Sequence, residues 1–172
     1  MAKTVFDKIL DSTTGPKSYN WYKREVSKIT TQGARALINQ GKATIRPKFG
    51  VMNLFGYDPK NKLTLPLYDR FPLIMPLDAA KGGFYGLNFH YLQPGARVAF
   101  LRQLQRYASD DNYDKKTRFN LSGGIPKNSY LKRTIKHYLF DHVRTSFLNI
   151  TADEMAIGIF LPVARFQKGQ PY

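Results

Sequence analysis

Residues 57–93, YDPKNKLTLPLYDRFPLIMPLDAAKGGFYGLNFHYLQ, decide how the rest of the chain is interpreted, because they combine many aromatic residues with closely spaced prolines. Proline fixes its own φ angle, restricts the residue before it and removes a ladder donor, so regular central strands are not expected between Leu63 and Leu77. Apolar residues nevertheless alternate with a period of two on both sides of Asp69 and Arg70. The pattern favours an extended arm or an edge strand over residues 57–81.

The second half of this stretch predicts a strand. Gly82 and Gly83 provide a turn, and the following segment Phe84–Leu92 alternates two sets of side chains, one of them strongly apolar. Aromatic rings with few rotatable bonds give a large contact area at a modest entropic cost, which suits a surface that binds a protein partner. The predicted partner-docking residues are Tyr57, Tyr68, Phe71, Phe84, Tyr85, Phe89 and Tyr91.

Helical periodicity lies on either side of the stretch. Apolar residues at helical spacing, with basic residues on the other faces, predict helices over Val5–Leu10, Tyr19–Ile29, Pro94–Tyr107 and Pro126–Val143. Extended segments are predicted at Ala43–Pro47, Phe49–Phe55 and Met155–Val163. Together these segments predict an α+β fold, in which a small, irregular, mostly antiparallel sheet is flanked by basic amphipathic helices and carries an extended proline-rich arm.

The length of 172 residues allows one domain with appendages. Residues 1–42 are predicted to form a helical basic N-terminal segment, and residues 43–172 an α+β core domain. Within that core, residues 57–81 form the arm, and the polar residues 109–124 form a flexible loop.

Charge is the clearest sign of a partner. Lys and Arg number 27 against 12 Asp and Glu, which gives a net charge of +15. Such a balance favours DNA or the acidic surface of another protein. Basic residues interleaved with an aromatic one suit phosphate contacts with occasional stacking. The candidate contact residues are Trp21, Lys23, Arg24, Lys28, Lys127, Lys132, Arg133, Lys136 and Arg144. The alternative is that these basic faces are ordinary solvated surface.

Catalysis and cofactor binding find little support in the sequence. The chain has no cysteine, and His137 and His142, five residues apart on one predicted helix, cannot share a metal ion as an i, i+4 pair would. Asp58, Asp69 and Asp78 are better explained by turns and by local ion pairs, with Asp69 pairing with Arg70. Catalytic residues, metal ligands, cofactors and a small-molecule substrate are therefore not expected. Neither a membrane span nor a secretion signal is expected, since no apolar run is long enough.

Three strings resemble a known family. They are YDPKNKLTLPLYDRFPLIMPLD at residues 57–78, GGFYGLNFHYLQP at 82–94 and EMAIGIFLPVARFQKGQPY at 154–172. They are similar to small virion proteins of T4-like contractile-tailed bacteriophages, over the chain from about Leu54 to its end. The resemblance implies a non-enzymatic structural subunit that is assembled in the host cytoplasm and located in the virion.

The placement within the virion has two alternatives. The main expectation is a baseplate or tail-hub component that docks through the aromatic and proline-rich surface onto acidic surfaces of other virion subunits. The alternative is a DNA-binding neck protein, a head-completion protein or a protein that protects the DNA end.

Overall fold

The computed structural model describes residues 43–49, 51–93, 129–150 and 166–167, and the separate positions 20, 21, 24, 38, 96 and 97. Its regular secondary structure consists mainly of short strands. They are β1 (Ala43–Thr44), β2 (Met52–Leu54), β3 (Tyr68–Asp69), β4 (Leu73–Ala80), β5 (Gly83–Asn88), β6 (Ile135–Leu139), β7 (Phe147–Ile150) and β8 (Phe166–Gln167). The helical elements that lie wholly within the described ranges are one turn of α-helix, α1 (Ser129–Lys132), and two 3-10 turns at Phe89–Tyr91 and Phe140–His142.

Six strands form one antiparallel sheet in the order β1-β7-β2-β4-β5-β6, and β3 pairs with β8 in a second, two-stranded sheet. β5 pairs with β4 on one side and with β6 on the other, where Gly83 lies opposite Leu139. β6 is therefore an edge strand of the larger sheet in the described part of the chain. This edge carries the candidate site described below.

The predicted fold class is wrong for the described residues, which form a mostly antiparallel sheet without flanking amphipathic helices. The predicted helix Pro126–Val143 includes α1, but the chain leaves it at Thr134. The backbone N–H of Thr134 donates to the Leu131 carbonyl at 2.9 Å, and its hydroxyl donates to the same oxygen at 2.7 Å. Ile135 and its successors then pair with β5, and this pairing buries Tyr138 in the aromatic core.

The expectation that the proline-rich segment avoids the sheet centre is also wrong. β4 lies between β2 and β5, although it contains Pro76. The pairing of β4 with β5 shifts register between Pro76 and Asp78, and such a bulge accommodates a residue that cannot donate a ladder hydrogen bond. Opposite Pro76 lies Gly86, and a Cβ there would be 3.0 Å from Ile74 Cδ1.

The remaining sequence predictions vary in outcome. The predicted strand Phe84–Leu92 is present as β5, but it ends at Asn88, whose side chain accepts a hydrogen bond from the backbone of His90 and caps the 3-10 turn. The predicted helices Val5–Leu10, Tyr19–Ile29 and Pro94–Tyr107, and the predicted strand Met155–Val163, lie outside the described residues except at isolated positions. The predicted division at residue 42 and the predicted loop 109–124 also lie outside them, so these remain predictions.

The core on one face of the sheet is largely aromatic. Its buried members are Phe55, Tyr57, Ile74, Phe84, Tyr138 and Phe147. Phe55 is central, with its ring centroid 4.6 Å from that of Phe147 and 5.4 Å from that of Tyr138. Aromatic pairs of this kind contribute roughly 0.5–1.5 kcal/mol each beyond their buried area. The core therefore fixes Tyr57 and Tyr138, whose other sides face the candidate site.

Candidate nucleic-acid interface

A half-open cavity of about 580 Å³ lies between β6 and the loop that leads from β2 to β3. Apolar and aromatic side chains make up most of its wall, and a few polar groups are placed among them. The lining residues are Tyr57, Pro59, Lys60, Asn61, Leu65, Pro66, Leu67, Tyr68, Asp69, Asn88, Tyr91, Lys136, His137, Tyr138 and Leu139. The volume falls within the roughly 300–1,000 Å³ that is usual for sites that take a small molecule or a cofactor.

The loop is held against the edge of the sheet by backbone contacts. The backbone N–H of Leu139 donates to the Tyr57 hydroxyl at 3.1 Å, and the N–H of Asp58 donates to the His142 carbonyl at 3.0 Å. Tyr57 and Val143 also form an isolated antiparallel bridge. The two walls of the cavity are therefore joined at one end and remain separate along β6.

The inner end of the cavity is a buried polar network. His90 Nδ1 lies 2.7 Å from Asp69 Oδ2, and the Asn88 amide donates to the same carboxylate oxygen at 3.1 Å. The Asn88 amide also donates to the Tyr138 hydroxyl at 3.0 Å, while the backbone N–H of Phe71 donates to Asp69 Oδ1 at 3.1 Å. Each of these contacts satisfies a group that would be costly to bury alone. The network fixes three polar groups, those of Asp69, Asn88 and Tyr138, at the cavity wall.

One side of the cavity pairs a cation with an aromatic ring. Lys136 Nζ lies 4.7 Å from the centroid of the Tyr91 ring, within the range of a cation–π contact. Burial lowers the pKa of Lys136, because desolvation disfavours its charged form. Burial, together with the negative charge of Asp69, raises the pKa of Tyr91 to about 12. Burial likewise raises the pKa of Tyr138 well above its usual value, so both hydroxyls keep their protons at neutral pH.

The structure separates the seven predicted docking rings into three groups by their burial. Tyr57, Phe84 and Phe89 are buried within the protein's own core. Tyr68, Phe71 and Tyr91 are half-buried, and Tyr68 and Tyr91 line the cavity. Tyr85 is 44% exposed, and its ring lies 5.1 Å from that of His137. The docking role of these rings stays a prediction, and the exposed surface available for it is mainly that of Tyr85.

The predicted basic contact residues lie at several places. Lys132 and Arg133 are exposed where α1 leads into β6, and neither forms an ion pair within the described ranges. Lys136 follows on β6, and Arg144 lies beyond the other end of that strand, 3.7 Å from Asp58. Trp21 and Arg24 occupy helical positions, half-buried and exposed respectively. Lys23, Lys28 and Lys127 lie outside the described residues.

The aspartates divide between surface and interior. Asp58 pairs with Lys62 at 2.9 Å, and this hydrogen bond lowers the pKa of the carboxyl group. Asp78 lies within β4 at its register shift and not in the turn that was expected, and its carboxylate accepts a hydrogen bond from the neighbouring Ala79 N–H. The predicted pairing of Asp69 with Arg70 is wrong, because the Asp69 carboxylate turns inward to His90 while Arg70 is exposed.

Sequence reasoning missed several residues of the cavity, among them Lys60, Asn88 and Tyr138. Lys60 follows Pro59 in a turn, Asn88 ends a strand and Tyr138 was assigned to a helix, so no single local pattern joins them. The pairing of β5 with β6 brings them together. The described part of the chain holds no cluster of residues suited to a metal ion and no helix long and apolar enough to cross a membrane.

The comparison with protein families places the chain among bacteriophage proteins. A family profile described as phage T4 terminal DNA protecting protein matches residues 3–172, and the chain belongs to that family. Neither the comparison with curated proteins nor that with solved structures gives a significant match. The family match confirms the resemblance to T4-like phage proteins. It favours the DNA-end alternative over the baseplate or tail-hub placement.

Proposed function

We propose that this protein binds the free ends of linear phage DNA in the virion and shields them. The observation that carries the proposal is the match to a family of terminal DNA protecting proteins over almost the whole chain. Shielding requires binding rather than bond cleavage, which agrees with the sequence-based expectation of a non-enzymatic protein.

Charge supports DNA as the partner. The net charge of +15 raises the local concentration of anions, and phosphate contacts made by Lys and Arg provide most of the affinity of a DNA-binding protein. The exposed side chains of Lys132 and Arg133 are available for such contacts, since no acid neutralises them in the described ranges. They precede β6 in the chain, and residues Lys136–Leu139 of this strand line the cavity.

Contacts with other virion subunits form the second part of the proposal. Leu63, Leu67 and Tyr85 expose between 44% and 47% of their surface around the loop and β5. Apolar side chains of this size, rimmed by polar groups, suit a protein contact. We expect neighbouring subunits to cover them while the cationic side of β6 faces DNA.

The test is a preference for ends. Two DNA molecules of equal length and sequence are compared, namely a hairpin with one open blunt end and a dumbbell that is closed by loops at both ends. The protein should bind the hairpin about tenfold or more tightly at physiological salt, since non-specific phosphate contacts are the same for both. It should also slow digestion of the hairpin by an exonuclease that starts from ends.

Two outcomes would contradict the proposal. Equal affinity for the hairpin and the dumbbell would show that the protein binds DNA without recognising its ends. If neither DNA were bound at low salt, DNA would not be the partner, and the basic residues would instead be assigned to contacts with acidic protein surfaces.

A further inference from the structure

We propose that the cavity between β6 and the loop 57–69 receives the base of the last nucleotide of the DNA, unpaired from its complement. The inference rests on the proposed function and adds to it the part of the DNA end that is recognised.

The wall of the cavity suits a flat aromatic ligand. Tyr68, Tyr91 and His137 present ring surfaces, and Pro59 and Pro66 stiffen the opposite side. Bases released from a duplex stack on such rings, and stacking tolerates any base because each has a π-face. The cavity is half open and large enough for one nucleotide, while a base within the duplex is held between its neighbours and cannot enter it.

The charges indicate which part of the nucleotide lies inside. Lys60 is exposed and Lys136 is half-buried, so both can reach a phosphate at the mouth of the cavity. Asp69 is 5% exposed and lies at the inner end, where its carboxylate would repel a phosphate group. A nucleotide is therefore oriented with its phosphate outward on the lysines and its base inward.

The inner end offers hydrogen-bonding groups for the edge of a base. The Tyr138 hydroxyl, which can still donate its proton, and the Asp69 carboxylate lie there, and the Asn88 amide holds both in place by donating one N–H to each. Fixed polar groups on an otherwise apolar wall orient a ligand, since the buried groups keep their geometry when it enters. A purely apolar ligand, such as a leucine-rich peptide, would leave these groups and the two lysines without a function.

The experiment compares the affinity of the protein for two DNA ends that carry the same charge, one with a terminal base and one without it. The probe is the open-ended hairpin DNA with a single-nucleotide overhang, made once with a normal base and once with an abasic residue, and with both 3′ and 5′ polarity. For at least one polarity, the full-length protein should bind the overhang with a base roughly 10-fold more tightly than the abasic overhang, as expected for one stacked base.

Two variants locate the effect in the cavity. Tyr68→Ala removes a ring from the wall and should reduce the ratio of base to abasic affinity to about one, since stacking is lost. Leu67→Glu places a hydrated carboxylate on the apolar wall and should also reduce the ratio, because only a base entering the cavity has to displace its water. Leu63→Glu is the matched control for Leu67→Glu, because Leu63 is a comparably exposed leucine of the same loop, 47% against 46%, that does not line the cavity, and it should keep the ratio. Thermal unfolding identifies variants that fail to fold, and Leu67→Glu, at a 46% exposed position, tests the inference should Tyr68→Ala unfold.

The outcomes separate this inference from the proposed function. A protein that prefers open-ended DNA to the dumbbell, but does not distinguish base from abasic overhangs of either polarity, retains the proposed function and overturns the inference. Competition by a free deoxynucleoside monophosphate at the same concentration as the DNA end would assign the cavity to small nucleotides and would also overturn it. Absence of any preference for ends overturns both.

Discussion

Asp69 and His90 form a buried contact that joins the loop to the 3-10 turn after β5, with His90 Nδ1 2.7 Å from Asp69 Oδ2. Both side chains are almost fully buried, and they lie 21 residues apart in the chain. The contact anchors β3 to the end of β5 and thereby positions the inner end of the cavity. The stability of the fold and the shape of the site consequently depend on the same pair.

Asp69→Asn should destabilise the protein by about 3 kcal/mol in urea denaturation, because one partner of a buried, hydrogen-bonded pair is lost. In either orientation the introduced amide places its NH2 group against another hydrogen-bond donor. That donor is the backbone N–H of Phe71 in one orientation, and His90 with the Asn88 amide in the other. Asp78→Asn is the matched control, since Asp78 is exposed and its amide still accepts from Ala79 N–H, and it should stay within about 0.5 kcal/mol. Equal effects of the two substitutions would contradict the role given to Asp69.

Gly83→Ala should destabilise the fold more than Gly82→Ala does. A Cβ at Gly83 would lie 1.8 Å from the backbone oxygen of Tyr138, which cannot move without breaking the pairing of β5 with β6. We expect a loss of roughly 3 kcal/mol, at the upper end of overpacking effects. A Cβ at Gly82 would make only an ordinary contact, 3.9 Å from Leu139 Cδ2, but Gly82 has a φ of +71°, so alanine there should cost about 1 kcal/mol of backbone strain. A larger loss of stability for Gly82→Ala than for Gly83→Ala in chemical denaturation would contradict this, because it would show that β5 and β6 can move apart at Gly83 at little cost.

The protein should lose stability as the pH rises above about 10. Burial raises the folded-state pKa of Tyr138 above its unfolded value of 10.0, so the stabilisation is complete below that pH and is lost as the pH rises toward the folded-state pKa. Tyr91, with a pKa of about 12, contributes in the same direction. The absorbance of tyrosinate should therefore rise together with unfolding measured by circular dichroism. In Tyr138→Phe the alkaline loss of stability should be smaller, and an unchanged alkaline transition would contradict this assignment.

The double substitution Lys132→Gln/Arg133→Gln should weaken binding to the open-ended hairpin and flatten its salt dependence. Each lost phosphate contact reduces the slope of log K against log salt by about 1, so the slope should decrease by about 2. Lys48→Gln/Lys81→Gln is the control, since both lysines are exposed and neither lines the cavity. Equal decreases of slope in the two double variants would show that charge alone, and not its position, determines affinity.

Lys136→Met should weaken DNA binding without weakening the fold. Burial lowers the pKa of Lys136, which means that the folded protein disfavours the charged form at neutral pH. The cation–π contact with Tyr91 contributes only about 0.5–1 kcal/mol in the opposite direction. The free energy of unfolding should therefore stay within about 0.5 kcal/mol of the original or rise. A loss of more than about 1 kcal/mol would show that the contact with Tyr91 outweighs desolvation.

Local sequence patterns predicted some strands and not others. The turn at Gly82 and Gly83 and the alternation after it identified β5, because this strand has one apolar face and clear boundaries. β6 was assigned to a helix, because Leu131, Ile135 and Leu139 recur at a spacing of four that also fits a helix. Only pairing with β5, about fifty residues earlier in the chain, distinguishes the two structures.

The candidate site was predicted in parts but not as a whole. The aromatic stretch and the basic segment around Lys132 and Lys136 were both identified from the sequence. Their proximity follows from the contact between Tyr57 and Leu139 and from the pairing of β5 with β6, which are long-range contacts that composition cannot provide. The expected pair of Asp69 with Arg70 rested on the adjacency of the two charges in the sequence, which does not show that the Asp69 side chain is buried.

The position of β7 has a consequence for synthesis of the protein. β7 lies between β1 and β2, pairing Phe147 with Thr44 and Leu148 with Leu54. A nascent chain can form the hairpin of β4 and β5 early, but β1 has no partner strand in the described sheet until residues 147–150 have left the ribosome. Contacts of such long sequence separation slow folding and leave strand edges open in the meantime. Folding of this sheet is therefore expected to finish only after residues 147–150 have been synthesised.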